Sequence, residues 1–453
     1  MFYKKFTIKD YKSFQGEQSL LFAIPKADTI GSGITYIVGG NNSGKTTMIE
    51  GLAIKEGRNI KTSERVPGAS PEFSLVAESD EIVRKCNLIR EESSTIKENP
   101  RLPQNEIFEI ISSRRHWASS AGNIFGKVGD SFSSTLDLTN RQNNLEVASE
   151  LRTIEANNEK YQAFIGLVQR VIPEFTKFAV AYEDNHFIEY ISNSGVRHKT
   201  ELLGDGVITV IRILLQLYVA KPNPLVIDEP ELSLHPSAQR KLLKILAEYS
   251  ETRQIIISTH SPYMIDWEYL KTGAAINRIT KEEDKYSKVY SINNFTKYTA
   301  LINSGNWQMP FAMDDVAKEI FFMEDRILFV EGQEDVGLLK RENSMSNVNI
   351  FGYGVRGKDN FKFAFSLANE LGYKKVSCIL DGGESENEIK VALSAAFPTY
   401  KIIQWNRNDI RDKAVFTSTT KSGYFTQNGE KKDPQDLDDF DEKIAELKAY
   451  LIP

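Results

Sequence analysis

Residues Ile34 to Ala53, ITYIVGGNNSGKTTMIEGLA, pass from an apolar run through a glycine-rich turn into an amphipathic run, and they limit the fold more tightly than any other stretch. Gly39 through Thr46 spell the full G-x-x-x-x-G-K-[ST] pattern, in the order strand, loop, helix. A phosphate cradle needs these residue types. Glycines at 39 and 44 let the backbone bend so that successive N–H groups face phosphate oxygens, and the N-terminus of the following helix adds a favourable dipole. Lys45 would reach the β- and γ-phosphates, Thr46 would supply a hydroxyl to Mg²⁺, and Asn42 and Thr47 complete the loop's nucleotide contacts. The chain is therefore expected to bind ATP or GTP.

A length of 453 residues exceeds what one core holds and predicts two or three domains. With 41% hydrophobic and 26% charged residues, the composition is that of a globular protein, and no apolar run is long enough to span a bilayer. The N-terminal MFYKKFTIKDYKSF lacks the apolar core of a signal peptide, so a cytoplasmic location is expected. Cys86 and Cys378, far apart, read as thiols in a reducing compartment, and the five histidines form no metal-binding spacing. A net charge of −6 argues against a uniformly basic nucleic-acid binder and leaves local basic surfaces open.

Phe6 to Phe22 alternates polar and apolar residues about a central break and reads as two strands. From about residue 54 to 200 the chain is polar and irregular, with Pro67, Pro71, Pro100 and Pro103 interrupting any periodicity. Within it, Val147, Leu151, Ile154, Tyr161, Phe164, Ile165, Val168 and Ile172 fall near helical spacing, and no heptad is sustained, which predicts a compact helical insert. Arg114, Arg115 and His116 fit either a solvated basic face or a phosphate- or DNA-facing one. Phe178–Tyr182 and Phe187–Ile191 read as short strands.

Glu201 to Leu217 is a glycine-bearing turn opening an apolar helix, with Asp205 and Gly206 at the turn. Pro224 to Ile227 reads as a buried strand ending in Asp228 and Glu229, where one acid can hold the Mg²⁺ shell and the other can orient or deprotonate a water. A second buried strand, Gln254 to Ser258, ends in Thr259-His260-Ser261-Pro262.

Ile8-Lys9-Asp10-Tyr11-Lys12-Ser13-Phe14 before the phosphate loop resembles the opening of ATPase heads of recombination and chromosome-maintenance proteins. The order of phosphate loop, insert, Gly-Asp-Gly turn, Asp-Glu strand and His-bearing strand resembles an ATP-binding-cassette (ABC) head. That likeness implies that Asp205 and Gly206 face nucleotide on an opposite subunit, and that His260 contacts the γ-phosphate. Leu203-Gly204-Asp205-Gly206 departs from the family's Leu-Ser-x-Gly by a glycine at the serine position. The runs Glu229 to Pro236 and Ser258 to Pro262 look most like the OLD (overcoming lysogenization defect) ATPases. In that family a Toprim domain follows. Here Arg326–Val330 reads as a strand ending in Glu331, with Asp335 one turn into the next helix, and Lys375–Leu380 as a strand ending in Asp381. Toprim enzymes usually carry Asp-x-Asp at that second position; this chain has Asp381-Gly382-Gly383, with Glu384 or Glu386 as replacements, and Asp409, Asp412 and Lys413 further on. The tail from Gln427 reads as an acidic linker followed by a helix with a solvated charged face.

The resemblance implies an α/β architecture: an ABC-type P-loop head over residues 1–318 with its insert at about 54–200, the insert a candidate for dimerisation, then a small parallel-sheet Toprim-like domain over 319–453. It implies ATP with Mg²⁺ at the head, Glu229 and His260 as catalytic groups, and Thr46 and Asp228 as metal ligands. A second Mg²⁺ or Mn²⁺ would sit on Glu331, Asp335 and Asp381. Two functions follow. One is an ATP-gated, metal-dependent DNA endonuclease of bacterial anti-phage defence; the other is an ATPase sensor or scaffold with a degenerate Toprim-like domain that holds a separate toxic effector. Either implies a homo-oligomer of head-to-tail heads, with DNA or the effector as partner and no membrane.

Overall fold

The computed structural model of the protein describes residues 2–53, 62–77, 81–90, 93–99, 108–111, 149–182, 186–192, 195–199, 205–219, 223–282, 285–295, 298, 316–323, 326–341, 345, 348–352, 354–413, 421–433 and 437–452. The chain divides into two compact units, Met1–Asn294 and Phe295–Pro453, so the division falls before the expected boundary at 318. The cause is aromatic packing: Tyr298 stacks edge-on against Phe363, 5.3 Å between ring centroids, and Phe295 packs on Tyr298.

In the first unit, the predicted strand pair forms an antiparallel hairpin, β1 (Tyr3–Tyr11) and β2 (Phe14–Leu21). The phosphate-loop strand β3 (Ile34–Val38) follows and runs into helix α1 (Lys45–Ala53). Beyond it lie β4 (Glu72–Ala77), β5 (Glu81–Arg90), β6 (Ser93–Asn99) and β7 (Glu109–Ile111). The described part of the 54–200 region is therefore largely strand, which corrects the expectation of a helical insert. In β4, alternate residues are buried, and this period-two signal is too short to stand out between the flanking prolines. β4 to β6 extend the N-terminal hairpin into a five-stranded antiparallel sheet, ordered β2-β1-β4-β5-β6. The predicted helical stripe holds for α2 (Asn158–Gln169), which buries Phe164, Ile165 and Val168; Val147 and the Arg114–His116 cluster lie outside the described residues. The two short strands after it pair as an antiparallel hairpin, β8 (Phe175–Tyr182) with β9 (His186–Ser192), edged by β10 (Arg197–Lys199).

Helix α3 (Asp205–Tyr218) begins at the Gly-Asp-Gly turn, of which Gly204 is outside the described residues. Strands β11 (Leu225–Asp228) and β12 (Ile255–Ser258) flank helix α4 (Pro236–Tyr249), and the short helix α5 (Trp267–Thr272) leads into β13 (Ala275–Glu282) and β14 (Tyr286–Ile292). Together they build a six-stranded sheet, β14-β13-β3-β12-β11-β7, in which every neighbouring pair is parallel except β13 with β14. β3, β11 and β12 are buried along their whole length, as strands covered on both faces must be, and accordingly read as uninterrupted apolar runs. The core joins Phe6, Ile8, Phe73 and Leu75 of the antiparallel sheet, Met48, Ile49 and Leu52 of α1, and Ile37, Val226 and Ile256 of the parallel sheet. Helix α1, and with it the phosphate loop, is thereby fixed by packing between two sheets.

The second unit is a small parallel sheet, β15 (Arg326–Phe329), β16 (Lys375–Leu380) and β17 (Lys401–Gln404), ordered β15-β16-β17, with Ile350 adding a parallel bridge to Leu328. Helices α6 (Gln333–Arg341), α7 (Phe361–Glu370) and α8 (Glu384–Ala396) connect them, in the expected alternation. The final helix α9 (Asp438–Leu451) exposes Asp441, Glu442 and Glu446 on its charged face, as expected, and buries the other: Phe440, Ile444, Leu447 and Leu451 pack with Trp405, Tyr424 and Ile403 in the unit's core, and the Trp405 and Phe440 rings stack at 5.2 Å. Four apolar residues at 440, 444, 447 and 451 make a helical stripe that the surrounding charge conceals.

Candidate functional site

The register of the parallel sheet assembles the first site. Asp228 pairs with Ser258 and Ser258 with Ile37, so the three strands end in one row and release Glu229, Thr259–His260 and Gly39 at the same edge. Two further backbone hydrogen bonds, Glu229 N–H to the Ser258 carbonyl (2.8 Å) and Thr259 N–H to the Ile37 carbonyl (3.0 Å), tie the strand ends together.

Glycine is required at both ends of the phosphate loop. Gly39 has φ +149°, and a Cβ there would lie 2.1 Å from the Ile279 carbonyl; Gly44 has φ +111°, and a Cβ would lie 2.7 Å from Ser287 Oγ and 2.9 Å from Ser13 Oγ. Asn42 takes φ +57°, a conformation that asparagine tolerates well, and is exposed. Lys45 is buried and donates from Nζ to the carbonyls of Gly39 (3.0 Å) and Gly40 (2.9 Å). Burial lowers its pKa to about 8, although Glu229, Asp228 and Glu231 pull the other way. The ammonium is thus poorly solvated and held at the mouth of the loop, where phosphate oxygens are better partners than carbonyls. Thr46 is exposed and Thr47 half-buried at the start of α1. A bare-backbone turn, a buried ammonium and an open hydroxyl fit a Mg²⁺-nucleotide, the cation of which neutralises the phosphate charge.

On the facing strand ends, Asp228 is 1% exposed. Glu229 adopts φ +49°, a left-handed conformation that costs a non-glycine residue roughly 1–3 kcal/mol, and its Oε1 lies 3.4 Å from His260 Nε2. The structure therefore brings together Lys45, Asp228, Glu229 and His260 as their motifs require. It also adds Glu231, whose Oε1 accepts the His260 backbone N–H at 2.7 Å and whose burial raises its pKa. Its place in the Glu-Pro-Glu run was the signal available in the sequence. Chemically, Glu229 is placed to hold or take a proton from a water, with His260 beside it and Glu231 holding the His260 backbone.

Two serines far apart in sequence complete the loop. Ser287 Oγ, on the antiparallel edge strand β14, donates to the Ser43 carbonyl (2.5 Å) and shares a 2.9 Å hydrogen bond with Ser13 Oγ at the tip of the β1–β2 hairpin. Ser287 is 1% exposed, so an alanine there leaves a buried carbonyl unsatisfied at a cost of about 1–3 kcal/mol. Ser287→Ala is expected to weaken nucleotide binding several-fold in a titration while hydrolysis at saturating nucleotide changes little; an unchanged affinity would show that the loop holds its shape without this contact.

Gly206 stands where α3 meets the acidic strand's exit loop. A Cβ there would lie 2.4 Å from the Ser233 carbonyl and 3.0 Å from Leu234, so glycine permits the close approach. The side chain of Asp205 lies outside the described residues.

In the second unit, parallel register again collects acids at one edge. Phe329 pairs with Cys378 and Leu380 with Gln404, so Val330-Glu331, Asp381 and Trp405 emerge together. Glu331, Asp335 and Asp381 line one small cleft with Val330, Leu339, Ile379 and Trp405. Burial, then the neighbouring acids, raise all three carboxyls: Asp335 to about 7, Asp381 to about 8, and Glu331 above its usual range. Asp409, 2% exposed, adds its charge to all three and is itself paired with Lys413 (2.8 Å) and Lys421 (3.4 Å). Asp412 does not join them; it pairs with Lys432 at 2.7 Å and accepts the Gly423 N–H. Lys413 also bonds Glu334, which Arg411 and Lys413 hold down to about 2. Lys421 was not singled out in the sequence, since only the fold returns it to the cleft. Among the described residues no three acids, histidines or cysteines are drawn close enough to cage an ion as they stand. Three carboxyls lining one cleft are nonetheless an all-oxygen donor set of the kind that Mg²⁺ or Mn²⁺ accepts.

Among the comparisons with known proteins, the family match falls within the first unit. The model of the family described as "AAA domain, putative AbiEii toxin, Type IV TA system" matches residues 34–266. An OLD nuclease from Thermus scotoductus is 34% identical over 118 residues, 25% of this chain and 21% of that protein. The Old nuclease of Escherichia phage P2 is 32% identical over 162 residues (34% and 27%), and a DNA double-strand break repair Rad50 ATPase from Sulfurisphaera tokodaii 33% identical over 134 (28% and 15%). The matches thus span between 15% and 27% of these curated relatives. An SMC head domain from Thermotoga maritima aligns over 64% of this chain and 99% of its own, with 18% identity and a TM-score of 0.39; an Smc head from Pyrococcus furiosus aligns over 67% and 99%, with 14% identity and a TM-score of 0.43.

Proposed function

The chain belongs to the AAA-domain family whose model it matches over residues 34–266, and from that premise we propose that it is an ATP-gated, metal-dependent DNA endonuclease of OLD type acting in bacterial anti-phage defence. Its first unit is the ATPase, with ATP and Mg²⁺ on Lys45, Thr46 and Asp228, and Glu229 and His260 at the reacting water. The observation that carries the nuclease half is the gathering of Glu331, Asp335, Asp381 and Asp409 at one edge of a parallel sheet, beside Lys413 and Lys421. In this reading the second unit is a Toprim-like domain. A cation bound there supplies a Lewis acid for phosphodiester cleavage. The carboxyls position it, and the lysines offset phosphate charge. Plasmid cleavage with Mg²⁺ or Mn²⁺, with and without ATP, tests the reading directly.

A second reading is favoured by one observation. Gly382 is wedged against the Arg407 and Trp405 carbonyls, where a Cβ would lie at 2.5 and 2.8 Å, and Gly383 carries no side chain, so the strand end offers one acid only. An ATPase sensor that holds and releases a separate toxic effector would need no more. DNA cleavage by the isolated protein decides between the two.

In either case the γ-phosphate site is completed by a second head, with Asp205 and Gly206 of the partner closing it, in a homodimer or a multiple of one. Light scattering is expected to show ATP-dependent dimers; a monomer with full ATPase activity at every concentration would contradict this. Among the described residues no helix is long and apolar enough to cross a membrane, and a cytoplasmic site of action is part of the proposal.

A further inference from the structure

At the Asp381-Gly382-Gly383 turn the strand end carries one acid, and Gly383 stands where a second would be. Gly383 has extended backbone (φ 175°) that any residue adopts, so its glycine is not explained by conformation. Its surroundings explain it. A Cβ built on Gly383 would lie 2.2 Å from Glu386 Oε2 and 3.3 Å from Glu386 Cδ: the Glu386 carboxylate occupies the space into which a side chain at 383 would grow. Glu384, the other nearby acid, is exposed, whereas Glu386 is half-buried and oriented. Lys358 Nζ donates to Glu386 Oε1 (2.7 Å) and to Ser385 Oγ (2.6 Å), and Ser385 Oγ donates to Glu386 Oε2 (2.8 Å). Lys358 follows the glycine turn 354–357, which is fastened to the first acid: Val355 N–H bonds the Val330 carbonyl (2.8 Å) and Gly357 N–H the Glu331 carbonyl (3.1 Å). The Glu386 charge is, after burial, the largest cause that raises the Glu331 carboxyl.

We propose that Glu386, reaching back from the first turn of α8, supplies the carboxylate that the strand end lacks at Gly383, and that Lys358 holds it toward Glu331 in the divalent-cation site. The inference deepens the nuclease reading and rests on it. An acid delivered from the helix instead of the strand requires a residue without a side chain at 383, and it keeps one more oxygen donor within reach of a hard cation.

The test is Mn²⁺ binding to the full-length, nucleotide-free protein, followed by electron paramagnetic resonance alongside calorimetry, with thermal melts to confirm folding. Glu386→Gln keeps the shape and the Lys358 contact while removing the charge; it is expected to weaken Mn²⁺ at least about tenfold, as is Glu331→Gln. Glu386→Ala is expected to be as weak, and adding Gly383→Asp to it, into the space just vacated, is expected to restore most of the affinity. Weakening by Glu331→Gln but not by Glu386→Gln overturns the inference and leaves the nuclease reading standing. Failure of Gly383→Asp to rescue a Glu386→Ala protein that melts normally overturns the exchange of positions. Wild-type protein that binds no Mn²⁺, or binds it equally well without Glu331, overturns the nuclease reading and this inference with it.

Discussion

Exchanging Glu229 for glutamine is expected to leave Mg²⁺-ATP bound and to slow its hydrolysis at least about 100-fold, the usual worth of a positioned general base. The amide retains the size of the side chain but cannot take a proton from water, and the 3.4 Å approach to His260 Nε2 loses its charge. Lys45→Ala should fail differently. It removes the buried ammonium that Gly39 and Gly40 hold at the loop's mouth, so binding itself weakens. Calorimetric titration separates the two variants, and phosphate release measures turnover. Should Glu229→Gln turn over as fast as the wild type, the base must be sought elsewhere, and Glu231 is the next carboxylate in the site.

The second large effect concerns Glu331 and Asp381. Alanine at either is expected to abolish metal-dependent DNA cleavage and protection against phage, while ATP hydrolysis by the first unit stays nearly unchanged. Both side chains line the same cleft, both are raised first by burial, and the Glu331 charge adds to the rise at Asp381, so removing one dismantles a shared site. Phosphodiester cleavage needs a Lewis acid on the developing charge, and the remaining carboxyls would hold that ion less tightly and less well placed. Protection that survives in both variants would end the nuclease reading in favour of a sensor that releases an effector.

The candidate ATPase site is compact in the sequence because its chemistry is local. A phosphate cradle is built from consecutive backbone N–H groups, so Gly39, Gly44, Lys45 and Thr46 must be neighbours in the chain, and an acid pair at the end of a buried apolar strand is equally compact. Parallel strands covered on both faces announce themselves as apolar runs, and the order of strands and helices in the second unit followed from the same signal. What the chain could not disclose depends on contacts across long separations. Ser287 reaches Ser43 only because β14 closes the edge of the sheet, Glu231 reaches the His260 backbone only through the register of β11 and β12, and Lys421 pairs with Asp409 only after the chain beyond β17 returns to it. The strands of the insert and the buried face of the last helix were hidden for a related reason. Short alternating or charged segments carry little periodic signal alone, and the sheet or core that receives them decides their conformation. Gly383 is the sharpest case: in the sequence it reads as a missing acid, and in the fold its empty space is filled by the carboxylate of Glu386.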